Sequence, residues 1–210
     1  MEKVRIVIAT NNGSEHLKKC IDSLGYKYPI LVVDTGSTDR EHLDYVKTLD
    51  YGETDGYSHG AFMWAYNNRP AQNYLFLQDS MVALVDDVVK PFQELMPEKG
   101  AVAWAKFGWV YDGYMQREWV ESQYGNTHPP QGIFGPIFYT SHRTLNSLKN
   151  RGLLPKKPTN KEEAQGSERA WAFAFHNANF PIESVCGMWD KGSMSNGTFP
   201  IFQKTFADRR

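Results

Sequence analysis

Cysteine is nearly absent: Cys20 and Cys186 are the only two in 210 residues. They do not stand at a metal-type spacing, and two distant thiols make no disulfide framework, so both read as buried thiols of a protein in a reducing compartment. No apolar run approaches the roughly 20 residues that span a bilayer. The opening Met-Glu-Lys-Val-Arg-Ile carries an acid and lacks the apolar core of a signal peptide, which gives the expectation of a cytoplasmic protein. An excess of charge is missing too. With 23 Lys and Arg against 24 Asp and Glu the formal net charge is -1, so the chain has no global footprint for nucleic acid. Local basic pairs remain at Lys156-Lys157 and Arg209-Arg210. There is no internal repeat and no low-complexity tract.

What is present is ordinary globular material, 41% hydrophobic and 22% charged, with a high 14% of aromatics. Most of those rings fill a core, although flat amphipathic side chains also suit carbohydrates and nucleobases. The length fits one domain over 1–210, with a first half over 1–107 and a second half and tail over 108–210.

The first half alternates strand and helix. Val4 to Ala9 is β-branched and reads as a central strand. Thr10 to Ser14 is a polar loop, with Ser14 as N-cap of a helix whose apolar face is Leu17, Cys20, Ile21 and Leu24 and whose end is Gly25. Ile30 to Asp34 is a second buried strand, completing a right-handed βαβ unit. Thr38 and Glu41 have capping-box spacing for a helix to about Leu49. Tyr51 to His59 reads as irregular, followed by a helix from His59 to about Asn67. Leu75-Phe76-Leu77 is a short covered strand that stops in Gln78-Asp79-Ser80, the end that faces the ligand crevice in an open α/β sheet. Asp87 to Met96 reads as a helix and Ala101 to Phe107 as one strand.

The second half is less regular. From Gly108 to His128 aromatic and charged residues interleave, as in the wall of a site or an insertion. Ile133 to Thr140 is extended, and Ser141 opens a helix to about Gly152. Pro155 to Gln165 is either a lid or a linker. Ser167 reads as the N-cap of the last helix, Ile182 to Cys186 as the last strand, and the tail from Gly187 as poorly ordered by itself.

Three acids are candidates for chemistry, and each has a plain structural alternative. Asp34, at a strand end beside Thr10 and Asn11, can accept hydrogen bonds from a nucleoside, or cap the Thr35-Gly36-Ser37 turn. Asp79 can hold a divalent cation or a sugar hydroxyl, or cap a turn. Glu168 can serve as a base, or sit at a helix N-terminus because the dipole favours an anion there.

Several segments together resemble one family. Val-Ile-Ala-Thr-Asn-Asn (7–12), Cys-Ile-Asp-Ser-Leu (20–24), Leu-Val-Val-Asp-Thr-Gly-Ser-Thr-Asp (31–39), Gly-Tyr-Ser-His-Gly-Ala (56–61) and the stretch 74–80 are similar to the opening of family-two-like nucleotide-sugar glycosyltransferases with the A-type fold. Gly166 to Trp171 resembles their acidic acceptor-side element. The match covers about the first hundred residues and one later element, and only 31–39 is specific by itself.

The resemblance implies a mostly parallel α/β sheet flanked by helices, with a Rossmann-like nucleotide-binding half and an irregular acceptor lobe. It implies transfer of a sugar from a nucleoside diphosphate donor, UDP-linked, to an acceptor hydroxyl with inversion. Thr10, Asn11, Asp34, Gly36, Ser37, His59, Gly60, Gln78, Asp79 and Ser80 would hold the donor, and Glu168 would be the base. Asp79 would hold Mn²⁺ or Mg²⁺, although the family carries two acids where Gln78-Asp79-Ser80 carries one. That departure leaves open a metal-independent enzyme whose phosphates are served by Lys or Arg. Three rivals remain. They are a non-catalytic binding module for nucleotide sugars or carbohydrates, a small glycosyltransferase acting on DNA bases, and a nucleotidyltransferase, which lacks its Gly-X-Gly-Thr-Arg loop here. The acceptor and the oligomeric state are not legible.

Overall fold

The computed structural model of the chain describes residues 1–39, 41–46, 49–108, 116–125, 131–189 and 201–204. Strand β1 (Glu2–Thr10) turns Val4, Ile6 and Ile8 to one face and Val7 and Ala9 to the other, all buried. A strand covered on both sides must be central, and each fully buried Ile or Val contributes about 1.5–3 kcal/mol. Helix α1 (Ser14–Leu24) returns along the first face through Leu17, Cys20, Ile21 and Leu24. Strand β2 (Ile30–Asp34) pairs parallel to β1 with Asp34 opposite Thr10. Helix α2 (Glu41–Val46) joins α1 through Leu43 and Val46, and strand β3 (Asp50–Glu53) pairs parallel to β2.

Helix α3 (Tyr57–Asn68) then crosses to the second face, where Ala61, Phe62 and Ala65 pack on Val7, Val33 and Phe76. Strand β4 (Ala71–Gln78) lies parallel to β1 on the side away from β2. The chain therefore reverses its direction of travel across the sheet at β1, and the crevice of such a sheet lies beyond the carboxyl ends of the two strands where it reverses.

The rest completes the sheet and covers it. It comprises β5 (Met81–Ala83), α4 (Lys90–Leu95), β6 (Ala101–Ala103), β7 (Lys106–Gly108), α5 (Arg117–Tyr124), β8 (Gln131–Ile133) and β9 (Phe138–Ser141). Then follow α6 (His142–Asn150), α7 (Lys161–Asn177), β10 (Ile182–Ser184), β11 (Met188–Trp189) and β12 (Phe202–Lys204). The main sheet runs β10-β6-β9-β4-β1-β2-β3, with β9 antiparallel to both neighbours and every other pair parallel. Helices α1, α2 and α4 cover one face, and α3, α6 and α7 cover the other. A mostly parallel α/β sheet is thus present, and it draws strands from both halves of the chain. Among the described residues no helix is long and apolar enough to cross a membrane.

Several boundaries differ from expectation. The irregular 51–59 segment holds β3, hidden from pattern reading because Asp50, Gly52 and Glu53 are not apolar. The single strand expected over 101–107 is β6 and β7, which belong to different sheets, and the extended run from Ile133 splits into β8 and β9. Gly13, not Ser14, is the N-cap of α1, and Asp39 rather than Thr38 accepts the N–H of Glu41 at 3.0 Å.

The largest correction concerns α7. Asn160 caps it by accepting the Glu163 N–H at 3.0 Å, so the supposed lid or linker is partly helix and Ser167 is interior. The Ser167 hydroxyl donates to the Ala164 carbonyl at 2.6 Å instead. The tail also contributes: β12 pairs antiparallel to β5. Trp109, Tyr111, Asp112, Tyr114, His128, Arg209 and Arg210 lie outside the described residues.

Candidate active site

Side chains gather at the carboxyl ends of β1, β2 and β4 in two groups, one for each face of the sheet. The division follows from strand alternation. In β4, Leu75 and Leu77 point to the α1 face and Tyr74 and Phe76 to the α3 face, so Gln78 continues toward α3 and Asp79 toward α1.

The first group is Thr10, Asp34 and Asp79 with their loops. Thr10 is 2% exposed and donates its hydroxyl to Asp79 Oδ2 at 2.9 Å, and Asp79 is 3% exposed. A Cβ on Gly13 would stand 2.3 Å from Thr10 Oγ1 and 2.6 Å from Asp79 Oδ2, so only glycine lets α1 begin this close to them. A carboxylate beside the start of α1 also meets the positive end of the helix dipole. Burial, with the Asp79 charge as the second cause, pushes the Cys20 thiol far up, so Cys20 is inert.

Asp34 is equally enclosed. The Ser37 N–H donates to both of its oxygens at 3.3 and 3.2 Å, and the Ser37 hydroxyl donates to Oδ1. Ser37 Oγ accepts the Asn12 N–H at 2.7 Å, and Asn11 Nδ2 donates to the Thr35 carbonyl at 3.0 Å. The Asn12 side-chain oxygen accepts the N–H groups of Thr38 and Asp39 at 2.9 and 3.1 Å. The β1 and β2 end loops are therefore pinned together. Asn11, Thr35 and Gly36 (φ +91°) keep accessible surface on this wall. Ser80, the next residue after Asp79, is 7% exposed.

The second group lies on the α3 and α7 side. Gln78 donates Nε2 to Ser58 Oγ at 3.2 Å, and its Oε1 accepts from Lys204 Nζ at 3.2 Å. That ammonium stands 4.9 Å from the centre of the Phe134 ring. Gly135 (φ +62°) comes next, and a Cβ there would sit 3.0 Å from Lys204 Nζ. The Gly135 N–H donates to the Glu168 carboxyl.

Glu168 projects from the middle of α7 toward this group, so the helix dipole no longer accounts for it. Protein surrounds its carboxyl, while the residue as a whole keeps intermediate accessibility. Desolvation raises its pKa, and the Lys204 charge, the Gly135 hydrogen bond and the Arg169 charge pull back without cancelling the rise. The structure thus joins Asp34 to Thr10 and Asp79, and joins Glu168 to Gln78 and Lys204. Among the described residues no three His, Cys, Asp or Glu side chains form a group that could hold a metal ion.

His59 and Gly60 have structural surroundings. A Cβ on Gly60 would stand 1.8 Å from the Asp55 carbonyl oxygen, so any side chain there collides with the backbone that leads into α3. His59 is 2% exposed and lies 5.4 Å, ring to ring, from Trp171. Among the described residues its Nδ1 has no hydrogen-bond partner, which leaves Nε2 as the donor to the Pro155 carbonyl. Burial lowers its pKa from 6.5 to about 4, against the opposing pull of that hydrogen bond. Folding therefore favours the neutral ring, and the stability tied to it is full above pH 6.5 and is lost as pH falls toward 4. The loss should reach about 3 kcal/mol. Tm recorded against pH should fall less steeply over this window in His59→Gln than in the wild type, and parallel curves would assign the acid sensitivity to other groups.

Lys204 and Gly135 are the residues that sequence reading missed. Alternation of Phe202 and Lys204 about the exposed Gln203 hints at a short strand, but its pairing with β5 is a long-range fact.

No protein-family model and no curated protein matches the sequence. Solved structures match the fold. A protein assigned as a nucleotide-diphospho-sugar transferase from Desulfovibrio desulfuricans G20 gives a TM-score of 0.52 at 7% identity, over 90% of this chain and 81% of that one. Glucosyl-3-phosphoglycerate synthase from Mycobacterium tuberculosis gives 0.46 at 11% identity, over 86% and 81%. Residues 1–349 of S. aureus TarS give 0.46 at 13% identity over 80% of this chain, which spans 55% of that structure. The first of these similarities, together with the strand order, shows that the chain has the A-type glycosyltransferase fold.

Proposed function

We propose that this protein is a glycosyltransferase that moves a sugar from a nucleoside diphosphate donor, UDP-linked, to an acceptor hydroxyl with inversion. The observation that supports this best is Glu168, a carboxyl that accepts the Gly135 N–H within the field of Lys204 beside the end of β4, with its pKa held above the ordinary glutamate range. A base of raised pKa accepts a proton from an alcohol more readily than an ordinary carboxylate does. In the proposed step the acceptor O–H bond breaks and its proton goes to Glu168. The acceptor oxygen bonds to the anomeric carbon, and the bond from that carbon to the diphosphate breaks with its electron pair leaving on the phosphate oxygen.

Thr10, Asn11, Asp34, Gly36 and Ser37 form the wall against which a uracil and ribose would rest. The pinned loops favour this role because a wall already ordered loses little entropy on binding. Asp34 and Asp79 would shape that wall through Ser37 and Thr10, and Gln78 and Ser80 would border the sugar. The catalytic and binding-module readings separate in one experiment. Thermal shift against a panel of UDP-, GDP- and dTDP-sugars should show stabilisation by a UDP-sugar, and nucleotide release should follow when acceptors are added. Binding without release under any acceptor would make the protein a non-catalytic module, and no stabilisation by any nucleotide would end the proposal.

A further inference from the structure

Building on that reading, we infer that the Lys204 ammonium, delivered by β12 to the end of β4, holds the donor diphosphate in the place where related folds would use a divalent cation. The residues present suit a metal poorly. Asp79, the one acid of Gln78-Asp79-Ser80, turns away from Gln78, is 3% exposed, and accepts the Thr10 hydroxyl beside Gly13. Gln78 and Ser80 are neutral, and no described trio of His, Cys, Asp or Glu stands ready as a ligand set. A positive charge is nevertheless built in beside Gln78, and it belongs to the chain itself.

The position of Lys204 is specified in detail. Phe202, fully buried against Phe92 and Trp104, and Ile201, 3% exposed, anchor β12, and the Leu84 N–H binds the Ile201 carbonyl at 2.8 Å. Lys204 follows Phe202 by two residues and so shares its inward face. An inward lysine is uncommon unless its charge is engaged. Here the charge meets Gln78 Oε1, its approach crosses the Phe134 ring, and Gly135 leaves the space that a Cβ would close. The same ammonium reaches Glu168 with its field. Base and cation thus stand within each other's field beside the end of β4, and a displacement can use both: one takes the acceptor proton and the other steadies the charge left on the departing phosphate. An ammonium hydrogen-bonded to a phosphate oxygen is a charge-assisted contact of the stronger kind.

The test uses the full chain with UDP and uridine as probes, by calorimetry, in EDTA and in Mn²⁺ or Mg²⁺. UDP should bind the wild type with the same Kd, within about twofold, in all three buffers. Lys204→Met should weaken UDP at least tenfold and uridine less than twofold, and Lys204→Arg should recover most of the loss. Equal weakening of both ligands would reduce Lys204 to a structural part and overturn the inference. So would UDP binding that vanishes in EDTA and returns with Mn²⁺. A Lys204→Met protein that binds UDP normally but shifts the acid limb of its rate profile upward would make Lys204 only the counter-charge of Glu168. Each of these three results leaves the glycosyltransferase reading standing, whereas a wild type that binds UDP in no buffer overturns both.

Discussion

Glu168→Gln should lower the transfer rate by roughly 10²- to 10⁴-fold while UDP affinity and Tm stay near wild type. The amide keeps the size and the acceptor oxygen for the Gly135 N–H, but it cannot take a proton. Stability should not suffer, and the sign supports this. Glu168 has a folded pKa raised by desolvation, so its ionised form is the less comfortable one in the fold, and the penalty grows as pH rises past the ordinary glutamate value. A neutral glutamine removes that penalty, and Tm above neutral pH should be equal or slightly higher. The pH profile gives a second readout. The wild-type rate should climb with pH on an acid limb displaced above the usual carboxylate range, because only the ionised carboxylate is a base, and this limb should be missing from the residual rate of the variant. Glu168→Gln with wild-type turnover would remove Glu168 from the mechanism.

The contrast between Glu168 and its neighbours shows how far residues alone lead. Strand β1, helix α1 and strand β2 were legible because β-branched runs and a clean helical stripe carry their own period, and the Gly25 end (φ +61°) follows from backbone sterics. The crevice location followed from strand order. The start of α7 did not, because Gly166-Ser167 looks like a beginning. Gly166 is instead a contact glycine inside the helix, where a Cβ would come 2.9 Å from the Trp119 ring and 3.0 Å from Gln116 Cβ. Close packing of α5 on α7 imitates a turn signal. The arrival of Lys204 was beyond reach for a different reason: β12 is three residues long, and its partner β5 lies more than a hundred positions earlier. Long-range pairing of short strands leaves almost no local trace.

Trp171→Ala should be the most damaging single change to the fold, costing about 3–5 kcal/mol. Trp171 is fully buried at the seam where α7 meets the sheet and α3, its ring centre 5.1 Å from Phe138 on β9, 5.4 Å from His59 on α3 and 6.1 Å from Phe175. These neighbours are held by their own strands and helices, so they cannot collapse into the space the indole leaves, and the cavity term is retained nearly whole. At roughly 2–4 °C per kcal/mol for a chain of this size, Tm should fall by about 6–20 °C. Trp171→Phe should be far milder. The indole N–H has no hydrogen-bond partner among the described residues, so phenylalanine loses some packing but also relieves a buried unsatisfied donor. Glu168 stands one helical turn earlier on α7, so the alanine variant should lose activity as its helix loosens, at temperatures where the phenylalanine variant still turns over. Thermal melts of the three proteins decide this. An alanine variant melting within 2 °C of wild type, or a phenylalanine variant as unstable as alanine, would mean that α7 is held to the sheet by other contacts and that the placement of Glu168 does not depend on this indole.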